Sequence, residues 1–366
     1  MAVAQRLFPR PLGPHCGNCR LLGACGGERN DDACSPRLEF TGPGGPHALH
    51  PLHPDFEIAF DAVGGHEFDD LELRPQRQRI EFRPHLPQIR WLASHRGETI
   101  DPLRFPALGI RLKEVFRDGR IRSAEEVRAY TGIAPEVALV LLLHGEDELL
   151  ERFTEHDAAV AGVGVAGYAL VTSPSFSMWE PRRRPNNLLS LRRSLLDCVR
   201  LQEAGASVCP RVAWANERDA ERLAEWVTAN SVDLVSLDLM TYGPRSFDRS
   251  VALLARFDEL TGHKLCFLID GIRARRRIEA IYLATAPGRI TVSDATMARP
   301  APVASPIDLG RTSLVARAAV VERACRHAHR AVAQQEASSH EMFVAQLANH
   351  RGLGELVAPD HRSDAA

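Results

Sequence analysis

Residues 232–239 read VDLVSLDL, residues 248–262 read DRSVALLARFDELTG, and residues 264–270 read KLCFLID. Two unbroken apolar runs of strand length flank one amphipathic stretch of helix length. A strand that is apolar at every position suits a sheet covered on both faces, and parallel neighbours need a crossover of this size. The unit predicts strand, helix, strand, with Asp238 and Asp270 at matching carboxyl ends.

The same unit recurs along the chain. VALVLLLH (137–144) precedes EDELLERFTEH, YALVTS (168–173) precedes NNLLSLRRSLLDCVRLQEAG, SVCPRVAW (207–214) precedes NERDAERLAEWVTAN, and ARRRIEAIYLATAPG leads into RITVSDA (289–295). Ala220, Leu223, Ala224 and Val227 fall at i, i+3, i+4 and i+7, one buried stripe of a helix. Asn216 suits an N-cap, Ser123 and Glu126 have capping-box spacing, and Gly205, Gly262 and Gly288 stand where helices would end in a left-handed residue. QIRWLA (88–93) and ALGIRL (107–112) bring the strands to eight, and SLVARAAVVERACRHAHRAVAQQ (313–335) supplies a last helix. Eight strands with following helices predict an α/β fold of the (β/α)8 TIM-barrel type over residues 88–336. An open doubly wound α/β sheet is the alternative, and the lack of a G-x-G-x-x-G turn after the early strands weakens its dinucleotide-binding form.

Before the barrel, CGNCRLLGACGGERNDDAC places Cys16, Cys19, Cys25 and Cys34 at C-x2-C-x5-C-x8-C. Four close thiols separated by glycines can converge on one ion or cluster, because glycine lets the backbone turn tightly enough. Residues 1–40 are therefore expected to form a metal-binding module holding zinc or, alternatively, a 4Fe–4S cluster, between which spacing does not decide. Residues 41–87, rich in Pro, Gly and His, read as an irregular connector with short strand character around Glu57 to Val63. Its histidines (His47, His50, His53, His66) share no period and read as surface residues. Residues 337–366 form a C-terminal tail. Cys198, Cys209, Cys266 and Cys325 lie in apolar patterns and read as small buried hydrophobes.

Composition excludes several classes. A net charge of −2 rules out a uniformly basic protein, so a polyanion would have to be met by local patches. Lys113 and Lys264 are the only lysines among 45 basic residues, and no G-x-x-x-x-G-K-[ST] phosphate loop is present. No run approaches the ~18 apolar residues of a membrane helix, and the first residues lack an apolar signal core. A soluble cytoplasmic protein without a membrane partner is expected.

In a parallel barrel the working residues lie at the carboxyl ends of the strands. Asp238, Asp270 and Asp294 end three consecutive strands and are the catalytic candidates, able to act as acid, base, nucleophile or metal ligand. Strand-end aspartates also cap following helices, which is the competing reading. Further candidates on the same face are His144, Ser173, Ser175, Trp179, Trp214, Asn216, Tyr242 and Ser293. Arg182, Arg183 and Arg184 follow the fourth strand, and Arg273, Arg275, Arg276 and Arg277 follow the seventh. Guanidinium groups near helix starts favour phosphate, and tryptophans offer stacking faces, so the mouth is expected to take a nucleotide or a nucleic-acid strand. Glycosidic or phosphate-ester chemistry is the expected reaction, and a non-catalytic nucleic-acid-binding or assembly protein the alternative.

TSPSFSMW, the basic segment after it, VCPRVAW and NERDAERLAEW resemble an uncharacterised domain family of phage, plasmid and actinobacterial proteins, over residues 165–275. Members of that family often carry an aspartate where this chain has Ser175. The resemblance implies a mobile-element context and a strand-end S-P-x-F-S motif, with no established activity. More distantly, a barrel with a thiol-bound metal and a strand-end aspartate is similar to the tRNA-guanine transglycosylases. Asp238 or Asp270 would be the counterpart of their covalent aspartate, although their C-x-C-x-x-C pattern is absent here.

Overall fold

A strand sends successive side chains to opposite faces, so an apolar run in a closed parallel sheet feeds two cores at once. The computed structural model, which describes residues 38–42, 45–49, 60–76, 80, 85–89, 106–178, 184–239, 244–272, 275–285 and 289–294, shows both cores. Its barrel strands are β1 (His85–Ile89), β2 (Ala107–Arg111), β3 (Ala138–Leu142), β4 (Leu170–Thr172), β5 (Val208–Cys209), β6 (Leu234–Asp238), β7 (Cys266–Asp270) and β8 (Ile290–Asp294). All neighbours pair in parallel and in chain order, and β8 returns to β1. Only the β5–β6 seam is thin. It is held by a bridge between Arg211 and Ser236, where Val212 N–H donates to the Ser236 carbonyl and Ser236 N–H to the Pro210 carbonyl, both at 2.9 Å. The fold is a TIM-type barrel, not an open sheet.

The helices are α1 (Leu112–Val115), α2 (Ala124–Thr131), α3 (Asp147–Thr154), α4 (Asp157–Val165), α5 (Arg184–Glu203), α6 (Glu217–Ala229), α7 (Pro244–Leu260) and α8 (Arg275–Ala284). Their ends obey the expected chemistry. Ser123 Oγ accepts from Glu126 N–H at 3.1 Å while the Glu126 carboxylate accepts from Ser123 N–H at 2.7 Å, and Asn216 caps α6 through Asp219 N–H at 3.1 Å. Gly205 and Gly262 sit at φ of 100° and 66°, where a side chain would be strained.

Outward residues such as Leu108, Ile110, Leu139, Leu141, Val235, Leu237, Phe267, Ile269 and Val292 join the core beneath the helices. Inward residues Leu86, Ala107, Val140, Leu142, Leu170, Cys209, Leu234 and Leu268 fill the lumen. Cys198 and Cys209 are buried, as the apolar patterns around them predict, and burial pushes both thiols well above their ordinary range. The first strand begins earlier than its apolar run suggests. Pairing of His85, Leu86 and Pro87 with β8 sets its position, so Gln88 stands near the end of β1, not at its start.

Part of the segment read as a loose connector is fastened down. Around Phe60 the chain makes a helical turn closed by Gly65 N–H on the Phe60 carbonyl, not the expected strand. Buried Arg192 of α5 donates to the carbonyls of Val63, Gly64 and Glu67 and clasps Asp70, while buried Arg222 of α6 pairs with Glu67 and Asp69 and stacks on Phe68 at 4.2 Å. Trp226 Nε1 donates to the Leu71 carbonyl at 2.7 Å, and Asn230 Oδ1 accepts from Leu73 N–H at 2.5 Å. Residues 63–73 thus run as a strap across α5 and α6. The four candidate metal cysteines, the connector histidines His47, His50 and His53, and the helix expected at 313–335 lie outside the described residues or their described side chains.

Two glycines of α4 separate backbone cost from packing cost. A Cβ on Gly164 would lie 1.7 Å from the Ala204 carbonyl oxygen, whereas one on Gly162 meets nothing within 4 Å. Gly164→Ala should lower stability by about 2 kcal/mol or more through overpacking, and Gly162→Ala should raise it by about 0.5–1 kcal/mol through helix propensity. Paired thermal denaturation of the two variants checks the opposite signs.

Candidate functional site

Towards the carboxyl ends the inward positions turn polar, and they converge. Gln88, 1% exposed, is the hub. Its Nε2 donates to Asp270 Oδ1 at 2.5 Å and to Ser293 Oγ at 2.7 Å, and its Oε1 accepts from Arg111 Nε at 2.9 Å. One amide thereby ties β1 to β2, β7 and β8. Gly109 makes room for it, since a Cβ there would fall 3.2 Å from Gln88 Cγ and 2.6 Å from Leu142 Cδ1. His144, just beyond β3, brings Nε2 to 2.9 Å from Asp270 Oδ2, an ion-pair distance at which the two atoms are not aligned as a hydrogen bond.

Asp238 stands beside Asp270, because β6 and β7 pair these two residues directly. Ser175 Oγ donates to Asp238 Oδ2 at 3.3 Å, and Arg211 Nη1 lies 3.7 Å from the same oxygen. A cavity of about 20 Å³, room for about one water, lies among His144, Ser173, Ser175, Arg211, Asp238 and Asp270. Burial alone would push the Asp270 carboxyl up. The charges of His144 and Arg111 and the hydrogen bond from Gln88 outweigh burial and hold it below the ordinary carboxylate range. Asp270 is therefore a buried, ionised carboxylate.

The sequence candidates divide sharply. Asp238, Asp270, Ser173 and Ser175 line the mouth together. Asp294 ends β8 as expected but is level with Pro87, and Ser293 takes the register position beside Asp270. Trp214 is not a stacking surface. It is 2% exposed, donates from Nε1 to Ser250 Oγ at 3.1 Å and packs on Phe257. Asn216 caps α6. Arg184 does not rim the mouth, because its guanidinium reaches Asp219 at 2.7 and 2.5 Å with both side chains buried. Arg276 is exposed on α8 and Arg277 lies over Phe247 at 4.5 Å. Trp179, Arg182, Arg183, Tyr242 and Arg273 lie outside the described residues, as does the Arg275 side chain.

Sequence reasoning missed Gln88, Arg111 and Arg211. Each is a single polar residue at or near the end of an apolar run, and its inward position becomes visible only with the strand register. Alternation counted back from Asp270 and Asp238 would have pointed to such positions. The S-P-S-F-S stretch is built into the same mouth. Ser173 Oγ accepts from Arg211 N–H at 2.7 Å, Ser175 N–H donates to the Leu143 carbonyl at 2.9 Å, and Ser177 donates to Asp147 Oδ1 from both N–H and hydroxyl. Among the described residues no group of three or more His, Cys, Asp or Glu could hold a metal ion, and no helix is long and apolar enough to cross a membrane.

No protein-family model matches the chain, and no curated protein does. Solved structures similar to it include the following two. One, a "cube-shaped, highly porous protein cage designed by fusing symmetric oligomeric domains", aligns at 15% identity over 74% of this chain and 83% of that chain, with a TM-score of 0.40. The other, "Native KDPGal structure", aligns at 13% identity over 70% of this chain and 100% of that chain, with a TM-score of 0.35. The barrel is established by its own strand order.

A carboxyl held below its unfolded-state pKa adds stability in full above that value, near pH 4, and the contribution drains away as the pH falls through the lowered folded-state value. Asp270→Asn should cost about 3 kcal/mol at pH 7, where the Arg111 charge loses its counter-ion. The gap from the parent protein should close as the pH falls below about 4 in denaturant titrations. A gap independent of pH would show that Asp270 is not an ionised carboxylate in the folded state.

Proposed function

We propose that the chain is an enzyme of the hydrolase or transferase type that acts on a nucleotide or nucleic acid by cleaving a glycosidic or phosphate-ester bond at the barrel mouth. The observation that carries this reading is the pairing of Asp238 and Asp270 side by side on one small cavity, with His144 against Asp270. Two carboxylates in one site can divide the work when their surroundings differ. Asp270, buried and held ionised, positions His144 and would stabilise it when protonated, so His144 is the proton carrier to the leaving group. Asp238, hydrogen-bonded by Ser175 and 14% exposed, faces the cavity as base or nucleophile at the reacting centre.

Arg111 and Arg211 favour a substrate bearing phosphate, which supports the nucleotide class. The arginine rim and stacking tryptophans expected for a nucleic-acid ligand lose Arg184 and Trp214, which are committed to packing. Catalysis is favoured over a non-catalytic scaffold because Asp238 and Asp270 share one cavity. The purified full chain, incubated with a panel of ribonucleotides and short RNA and DNA strands, should release free base or a cleaved phosphate ester. Asp238→Asn and His144→Gln should each lower that rate at least about 100-fold. Release unchanged in both variants would sink the assignment.

Cys16, Cys19, Cys25 and Cys34 would hold one zinc ion or a 4Fe–4S cluster, a donor set that suits either. Anaerobically purified protein should contain one zinc per chain, or iron with absorbance near ~400 nm, lost on Cys16→Ser together with Cys19→Ser. A metal-free parent protein would remove the module.

A further inference from the structure

Arg211 is a buried guanidinium whose setting differs from that of the three buried arginines outside the mouth, each of which meets a carboxylate. Arg184 has Asp219, Arg192 has Asp70 and three carbonyls, and Arg222 has Glu67 and Asp69. Arg211 is 8% exposed, yet its Nε and Nη1 have no hydrogen-bond partner among the described residues. Asp238 Oδ2, the acidic oxygen paired with it, is 3.7 Å away and beyond hydrogen-bond reach. Burial without partners is costly for a charged donor, so such a group is stable only if something else meets it.

The side chain is held in place. Its backbone N–H is fixed by Ser173 Oγ at 2.7 Å, and the residue itself forms the bridge to Ser236 that closes the barrel. It lines the same cavity as His144 Nε2 and Asp270 Oδ2, two further buried atoms without an aligned hydrogen bond. About 20 Å³ has room for about one oxygen atom. Charge limits what that oxygen belongs to. Two guanidinium groups, Arg111 and Arg211, stand here with two carboxylates, Asp238 and Asp270, and His144 lines the same cavity. A second negative charge on the ligand would face two carboxylates.

We propose that Arg211 is the specificity-determining residue of an oxyanion subsite that receives one oxygen of a singly charged group, a carboxylate or a phosphodiester. This deepens the catalytic reading of the same mouth and rests on it for the meaning of the bound group, though not for binding itself. In a phosphodiester the second non-bridging oxygen and both ester oxygens stay outside the cavity, which sets the scissile region above Asp238.

Calorimetric titration of the full chain with formate, dimethyl phosphate and, at pH 8, inorganic phosphate tests the subsite. Saturable binding of formate or dimethyl phosphate is expected, and whichever binds more tightly identifies the carboxylate or the phosphodiester as the source. Arg211→Gln should weaken it at least about tenfold, since the bidentate charged donor is lost. Arg211→Lys, which keeps the charge for folding, should weaken it by a smaller factor. Arg120→Gln, at an exposed residue between α1 and α2 paired with Glu126, should bind as the parent does. Absence of saturable binding, tighter binding of the dianionic phosphate, or parent-like affinity in Arg211→Gln would overturn the proposal. The two readings fail separately. Lost turnover in Asp238→Asn with unchanged affinity in Arg211→Gln defeats only the subsite, and the reverse pattern defeats only the catalytic assignment.

Discussion

Side chains alternate across a strand, and a ring of eight parallel strands must therefore furnish two interiors from one set of residues. The outer interior is wide and accepts Leu, Ile, Val and Phe with helices laid over them. The lumen is narrow, and its lower layers are filled by residues such as Leu86, Ala107, Val140 and Leu268. At the upper end the inward positions become Gln88, Arg111, His144, Arg211, Asp238 and Asp270. Register alone decides this change from oil to charge. A shift of one residue in any strand would send its polar residue into the helical shell and a leucine into the mouth.

Charge placed in so small a space must be satisfied across the lumen, not along one strand. Gln88 does this by donating to Asp270 and Ser293 while accepting from Arg111, which spans four strands with one side chain. Asp270 remains ionised because that network and His144 outweigh its burial. Outside the lumen the same residue types do structural work. Arg184 and Asp219 lock the start of α5 to α6, and Arg192 and Arg222 fasten the strap at residues 63–73. Parity and level along the barrel, not residue type, separate an arginine that holds the fold from one that faces a ligand.

That separation explains what could be read from the sequence. Strands β2 to β8 and helices α3, α5, α6, α7 and α8 were legible, because unbroken apolar runs and 3.6-residue stripes are local patterns. Asp238 and Asp270 were legible because they end two of the clearest runs. Arg211 was not, since in VCPRVAW a lone arginine looks like a strand terminator, and Gln88 was hidden by a first strand read from its apolar residues instead of its pairing with β8. Arg184 was misread for the opposite reason. A run of three arginines between prolines resembles a surface patch until α5 is seen to start at Arg184 and to turn it towards Asp219.

The residue at position 175 ties these points together. Here the Ser175 hydroxyl donates to Asp238 Oδ2 at 3.3 Å. An aspartate in its place would set two carboxylates within hydrogen-bond distance, and at that separation both cannot stay ionised, so one would hold a proton at neutral pH. A chain with the aspartate would thus have a carboxylic acid paired with a carboxylate at β6. This chain has a neutral donor beside the Asp238 carboxylate. In the proposed chemistry Asp238 is the base or nucleophile, so the proton to be delivered would come from elsewhere in the mouth, and His144, 2.9 Å from the buried carboxylate of Asp270, would carry it.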